Sequence, residues 1–157
     1  MKTLITILGF AGIFLINVSA KAQIVWKGGT PGAENKWEEP RNWSTQKVPG
    51  IFDDVVIPDR STQGNFYPVI KTEVEAIAQL IIKAGANLKL TENGMLTIDG
   101  GQTYNTGLTL VGHLDNQGKI IIVDPGMQAI EIFDTSKNIG TIVIINSQAD
   151  DEMLVDN

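Results

Sequence analysis

The feature that most constrains this chain is a recurrence. Gly94-Met95-Leu96-Thr97-Ile98 aligns with Gly118-Lys119-Ile120-Ile121-Ile122, 24 residues on. It aligns again with Gly140-Thr141-Ile142-Val143-Ile144, 22 residues further. The two later copies share an asparagine two places before the glycine, Asn116 and Asn138. A second series runs between them, with Leu108-Thr109-Leu110 preceding Ile130-Glu131-Ile132 by 22 residues. A period of this size is one turn of a parallel β-helix, in which each coil stacks its strands on the next about 4.8 Å away. Residues of equal phase then form ladders. Leu96, Ile120 and Ile142 are expected inside, and Gly94, Gly118 and Gly140 at one corner, where glycine accepts a positive φ without steric cost. Each buried Leu or Ile contributes about 1.5–3 kcal/mol.

The surrounding texture agrees. From about residue 67 short apolar runs alternate with turn residues: Tyr67–Ile70, Leu80–Ile82, Leu88–Leu90, Met95–Ile98, Leu108–Val111, Ile120–Val123, Ala129–Phe133 and Thr141–Ile145. Strands at intervals of about 8–12 residues indicate a sandwich, a barrel or a solenoid, and the repeats select the solenoid. No stretch carries a sustained helical period; Glu73–Ala78 is read as at most one turn.

Residues 23–58 differ. All three tryptophans, Trp26, Trp37 and Trp43, lie there among Gly28-Gly29-Thr30-Pro31-Gly32, Pro40 and Pro49-Gly50. Asp53-Asp54 leads into an apolar strand, Val55-Val56-Ile57, closed by Pro58. The expected division is a signal peptide at 1–22, an irregular Trp-rich cap at 23–58, solenoid coils at 59–146 and an acidic tail at 147–157. The signal peptide is read from Lys2, the apolar run Leu4 to Val18, and Ala20-Lys21-Ala22, which places cleavage before Gln23. The expected location is therefore secreted, cell-surface or periplasmic. No other stretch approaches the ~18 apolar residues of a membrane span. The chain has no cysteine, which removes disulfides and lipoprotein chemistry. Loss of Lys2 and Lys21 takes the formal charge from −6 to −8, and an acidic surface disfavours nucleic acid as a partner.

Trp26, Trp37, Asn42-Trp43, Val48-Pro49, Asp53 to Pro58, Pro68-Val69-Ile70 and Leu80 to Leu88 together resemble a module of secreted Bacteroidetes surface proteins. The same string is similar to the start of G8-type and autotransporter-like β-solenoid regions. The resemblance covers about residues 26–123. It implies a right-handed parallel β-helix within large extracellular proteins, adhesin-like or attached to polysaccharide-degrading architectures, and it carries over no catalytic residues. Such proteins commonly end in a C-terminal sorting domain. The chain stops at Asn157 without one, so a missing C-terminal domain joins the expected partners.

The candidate sites are few. Trp26, Trp37 and Trp43 form either a sugar-stacking platform or a packed cover over the first coil. Asp53 and Asp54, with Asp59, offer oxygen ligands to Ca²⁺, or cap turns through backbone N–H groups. His113, the only histidine, precedes Asp115 by two residues and is read as a polar turn residue rather than an acid–base catalyst. Asn42-Trp43-Ser44 matches the N-glycosylation sequon, read as accidental. Strand alternation turns Ile121, Val123, Val143 and Ile145 outward, an apolar stripe for the tail, a second copy or a missing domain to cover. The expected role is a non-catalytic module binding a cell-surface glycan or protein. The alternatives are a polysaccharide lyase or hydrolase of the parallel β-helix class, or a structural spacer.

Overall fold

The structure is a computed structural model and describes residues 23–100, 106–126, 128–133, 137–138, 140–145 and 153–155. The expected signal peptide lies outside them, as does most of the acidic tail. The described residues are all-β apart from one short 3-10 turn, Pro40–Asn42.

The strands are short, and they advance from sheet to sheet along the chain. They are β1 (Ile24–Val25), β2 (Asp54–Ile57), β3 (Val69–Ile70), β4 (Gln79–Ile82) and β5 (Asn87–Leu90). There follow β6 (Met95–Asp99), β7 (Leu108–Leu110), β8 (His113–Asn116) and β9 (Lys119–Val123). The last are β10 (Ile130–Ile132), β11 (Lys137–Asn138), β12 (Thr141–Ile145) and β13 (Met153–Val155). Three sheets result, ordered β1-β2-β4-β7-β10, β3-β5-β8-β11 and β6-β9-β12-β13. Every pairing between these strands is parallel except β12 with β13. A chain that visits three sheets in turn and returns to each one strand further along is a parallel β-solenoid of about three turns.

The ladders follow the sequence period. Leu96 pairs with Ile120, and Ile120 with Ile142. Leu96 and Ile120 are fully buried, and Ile142 nearly so. The second series pairs Leu80 with Leu108 and Leu108 with Ile130. The alternation of β5 and β6 is strict, with Leu88, Leu90, Leu96 and Ile98 inward.

Four expectations are corrected. Glu73–Ala78 is not helical; Glu73 and Ile77 form parallel bridges to Met95 and Ile98 and extend the third sheet back towards the first coil. His113 opens a strand rather than sitting in a turn, because its neighbour Leu114 is needed inside beside Leu88. Gly94, Gly118 and Gly140 do stand at a corner, but none has a positive φ. Glycine is required there by close stacking: a Cβ on Gly118 would collide with the carbonyl oxygen of Gly94, and one on Gly140 with that of Gly118. Lastly, Met153–Val155 does not fold over the outer face. It lies alongside β12 and adds an antiparallel strand at the sheet edge.

Asn116 explains its own recurrence. Its side chain is fully buried, and its Oδ1 accepts the Gly118 N–H at 3.1 Å, so it caps the end of β8 just before the crowded corner. Asn138 pairs with it in the next coil.

Candidate functional site

The tryptophans offer no binding face. All three are completely buried. Trp43 meets Trp26 and Trp37 edge-on, with ring centroids 4.8 and 4.7 Å apart and interplanar angles of 80° and 77°. Such contacts add about 0.5–1.5 kcal/mol each beyond burial. Trp26 Nε1 donates to the Phe66 carbonyl at 2.8 Å, and Trp43 Nε1 to the Trp37 carbonyl at 2.7 Å. The platform reading is therefore corrected: a sugar needs an open ring, and these rings are packed on both sides.

Asn42 holds this region together. Its Nδ2 donates to the Ala33 and Lys36 carbonyls at 2.7 and 3.0 Å, and its Oδ1 accepts the Thr30 N–H at 3.0 Å. The sequon residue is thus buried and fully engaged, which closes it to glycosylation in the folded chain.

The aspartates are dispersed into local duties. Asp53 Oδ2 accepts the Gly50 N–H at 2.9 Å, closing the turn before β2. Asp54 is buried in β2, with its Oδ1 lacking a hydrogen-bond partner among the described residues. Asp59 Oδ1 accepts from the Ser61 N–H at 2.8 Å. No group of three or more His, Asp or Glu among the described residues is arranged to hold a metal. The proposed Ca²⁺ ligands serve separate positions: Asp53 closes the turn before β2, Asp54 lies within β2, and Asp59 holds the Ser61 N–H after it.

The outward stripe is only partly exposed. Ile121 stacks beside Val143 and Val123 beside Ile145, as the period requires. Yet Val143 is buried and Ile121 and Val123 are half-covered, leaving Ile145 at 40% exposure. The addition of β13 opposite Val143 gives β12 a second strand neighbour beside β9. Among the described residues the more exposed apolar side chains lie elsewhere. Phe52, at 82%, projects with Ile51 from the Gly50–Asp53 turn, and Ile132 and Phe133 lie at the end of β10.

Two concavities lie along the sheet of β3, β5 and β8. The larger, about 750 Å³, runs from the 32–38 loop to Val69, Lys71 and Thr72. Its rim mixes Glu34, Lys36, Glu38 and Lys71. The Glu34 carboxyl is held below its usual range by hydrogen bonds from its own backbone N–H and that of Gly32. The smaller, about 310 Å³, is lined by Ser61, Asn65, Tyr67, Asn87 and His113 over a floor that includes Gly85, Ala86 and Gly112. Asn87 and His113 are register partners in β5 and β8. Val69 partners Lys89, so Tyr67, two residues earlier, continues the Asn87 row. The adjoining outward row is Val69, Lys89 and Asp115, with Lys89 Nζ 3.3 Å from Asp115 Oδ2.

Tyr67 is fixed with care. Its hydroxyl accepts the Arg60 N–H at 3.0 Å and lies 2.9 Å from Asp59 Oδ1 and 2.8 Å from the Gly85 carbonyl oxygen. It donates to one of these two at a time. Burial is the main cause that raises the Tyr67 pKa, with the Asp59 carboxylate adding to it. Asp59 is held below the usual carboxylate range, first by the Ser61 N–H, then by the Ser61 and Tyr67 hydroxyls. Sequence reasoning passed over Tyr67 and Asn87. The available signal was phase: Asn87 precedes inward Leu88 just as His113 precedes inward Leu114.

Residues 25–151 match the family described as Domain of unknown function (DUF8693), and the chain belongs to that family. No curated protein and no solved structure matches it.

Proposed function

We propose that this member of the family is a non-catalytic module of a secreted or cell-surface protein that adheres to a cell-surface glycan. In this reading residues 1–22 are a signal peptide, the solenoid is right-handed, and the packed Trp26–Trp37–Trp43 segment covers the first coil. A solenoid end exposes apolar surface and unpaired strand edges, and a cover of this kind meets that need.

The observation that carries the proposal is the flank built on β3, β5 and β8. Both concavities border it, and its outward rows repeat at strand spacing, about 4.8 Å. A rigid ladder of polar side chains suits an extended ligand lying along the stack, since its groups are held in place before binding and little ordering cost is added.

The test is a glycan-array screen of the chain. Reproducible binding to a defined set of glycans supports the reading. Degradation of a bound polysaccharide, seen as ultraviolet absorbance from an unsaturated product, overturns it in favour of an enzyme. Absence of binding to any glycan overturns it in favour of a spacer.

A further inference from the structure

We infer that the depression between Tyr67, Asn87 and His113 binds a single uncharged sugar residue of a glycan, an assignment that rests on the glycan-binding reading above and gives it a place and a ligand class.

The first argument is chemical. The polar side chains that line the depression are Ser61, Asn65, Tyr67, Asn87 and His113. Between them they supply hydroxyl, carboxamide and imidazole groups, each able to donate and accept hydrogen bonds. No Lys, Arg, Asp or Glu lines it. A site for a uronate, a sulfate or a phosphate would carry a cation to meet the anion. Donors and acceptors set side by side match the ring of hydroxyls on an uncharged sugar. The larger concavity contrasts with it, because its charged rim is the less suitable surface for such a ligand.

The second argument is one of unmet bonding. Asn87 Oδ1 is covered and has no hydrogen-bond partner among the described residues. A covered acceptor without a donor is costly, and a turn of the carboxamide that presents it to a ligand hydroxyl in the depression removes that cost. Asn87 is also fixed in place, because its strand is held on both sides by β3 and β8.

The third argument is rigidity. Gly112 lies so close to the preceding coil that a Cβ would collide with the carbonyl oxygens of Lys83 and Ala86. Gly85 has φ of +75°, and a Cβ there would press on Asp59. The floor is thus as close to the underlying backbone as a chain can run, and the Tyr67 hydroxyl is tied to Arg60, Asp59 and Gly85 beside it. At about 310 Å³ the space sits at the low end of ligand pockets, which span about 300–1,000 Å³. That fits one sugar residue with the remainder of the glycan lying outside.

The test is a nuclear magnetic resonance titration of the ¹⁵N-labelled full chain. The probes are glucose, galactose, mannose and N-acetylglucosamine, with galacturonate and glucosamine as charged counterparts. At least one neutral sugar is expected to shift the signals of Tyr67, Asn87 and His113 saturably. Asn87→Ala is expected to weaken that binding about tenfold, as loss of a hydrogen-bonding group in a shaped site does. Its melting temperature and the remaining amide signals report whether the fold is kept, and His113→Ala, at an exposed position, gives an independent second variant. Tighter binding of a charged counterpart overturns the ligand class. Binding that persists unchanged in both variants overturns this site and leaves the glycan-binding reading standing. Absence of binding to any monosaccharide, together with binding on a glycan array, overturns the single-residue site alone. Absence of both overturns the site and the reading on which it rests.

Discussion

Gly118 stacks against Gly94 so closely that a Cβ on Gly118 would run into the Gly94 carbonyl oxygen. The Lys119 N–H donates to that same oxygen at 2.9 Å, so the obstacle is held in place by the ladder itself. Backbone cannot move aside as a flexible side chain can. Gly118→Ala is therefore expected to destabilise the fold by about 3 kcal/mol or more. Lys119→Ala, at an exposed site next door, is expected to stay within about 0.5 kcal/mol. Urea denaturation of both variants decides it, and equal effects contradict the stacking account.

Asn42 is the polar node of the tryptophan region. Removing its side chain leaves the Thr30 N–H without its acceptor and takes one of two donors from the Ala33 and Lys36 carbonyls, which keep the Lys36 and Glu39 N–H groups. Three lost bonds at about 1 kcal/mol each make Asn42→Ala cost about 3 kcal/mol. Tryptophan fluorescence during denaturation measures this directly, because the indole rings of Trp37 and Trp43 pack beside the affected loop. A variant as stable as the parent rules out the role.

The bonds between Asp59, Ser61 and Tyr67 give stability a dependence on pH at both ends. Tyr67 has a raised pKa in the folded chain, mainly from burial. Its contribution is full below the ordinary tyrosine value of about 10 and is lost as pH rises through the folded value. Asp59 has a lowered pKa. Its contribution is present above the ordinary aspartate value of about 4 and is lost as pH falls through the folded value. Tyr67→Phe is expected to flatten the alkaline fall in melting temperature relative to the parent, and Asp59→Asn the acid fall. Parallel curves for parent and variants across both limbs count against these bonds.

The solenoid was legible because its determinant is periodic. The ladders through Leu96, Ile120 and Ile142 need only equal phase and an apolar side chain, and both are written in one dimension. His113–Asn116 was obscured because its apolar content is a single residue, Leu114, with Asn116 also turned inward. An inward asparagine breaks the apolar alternation, and its bonds to the Gly118 N–H and the Thr141 carbonyl account for it. The Trp-rich segment was legible as irregular but not in its contacts. Trp26 reaches Phe66 and Asn35 reaches the Tyr67 carbonyl across 40 and 32 residues, and no local pattern encodes such pairings. The depression at Tyr67 was hidden for a related reason: its residues come from three coils, and only the register sets them side by side.

The outer residues of β12 provide the sharpest check on the edge of the stack. Val143 and Ile145 were expected to be equivalent, since both occupy the outward phase and pair with Ile121 and Val123 of β9. The antiparallel strand Met153–Val155 distinguishes them. Among the described residues its register sets Val155 opposite Ile142, Leu154 opposite Val143 and Met153 opposite Ile144. Val143 is accordingly buried at 7% exposure, and Ile145 is open at 40%. Threonine keeps the β-branched shape and strand propensity of valine but carries a hydroxyl. At Val143 that hydroxyl is taken from water, so Val143→Thr is expected to cost about 1–3 kcal/mol. At Ile145 the hydroxyl stays hydrated, and Ile145→Thr is expected to remain within about 0.5 kcal/mol. Removal of residues 151–157 is expected to narrow the difference, because Val143 then keeps a strand on one side only, β9. Thermal melts of the two variants in the full and shortened chains measure all four values. If Val143→Thr is as mild as Ile145→Thr in the full chain, β13 does not shield β12.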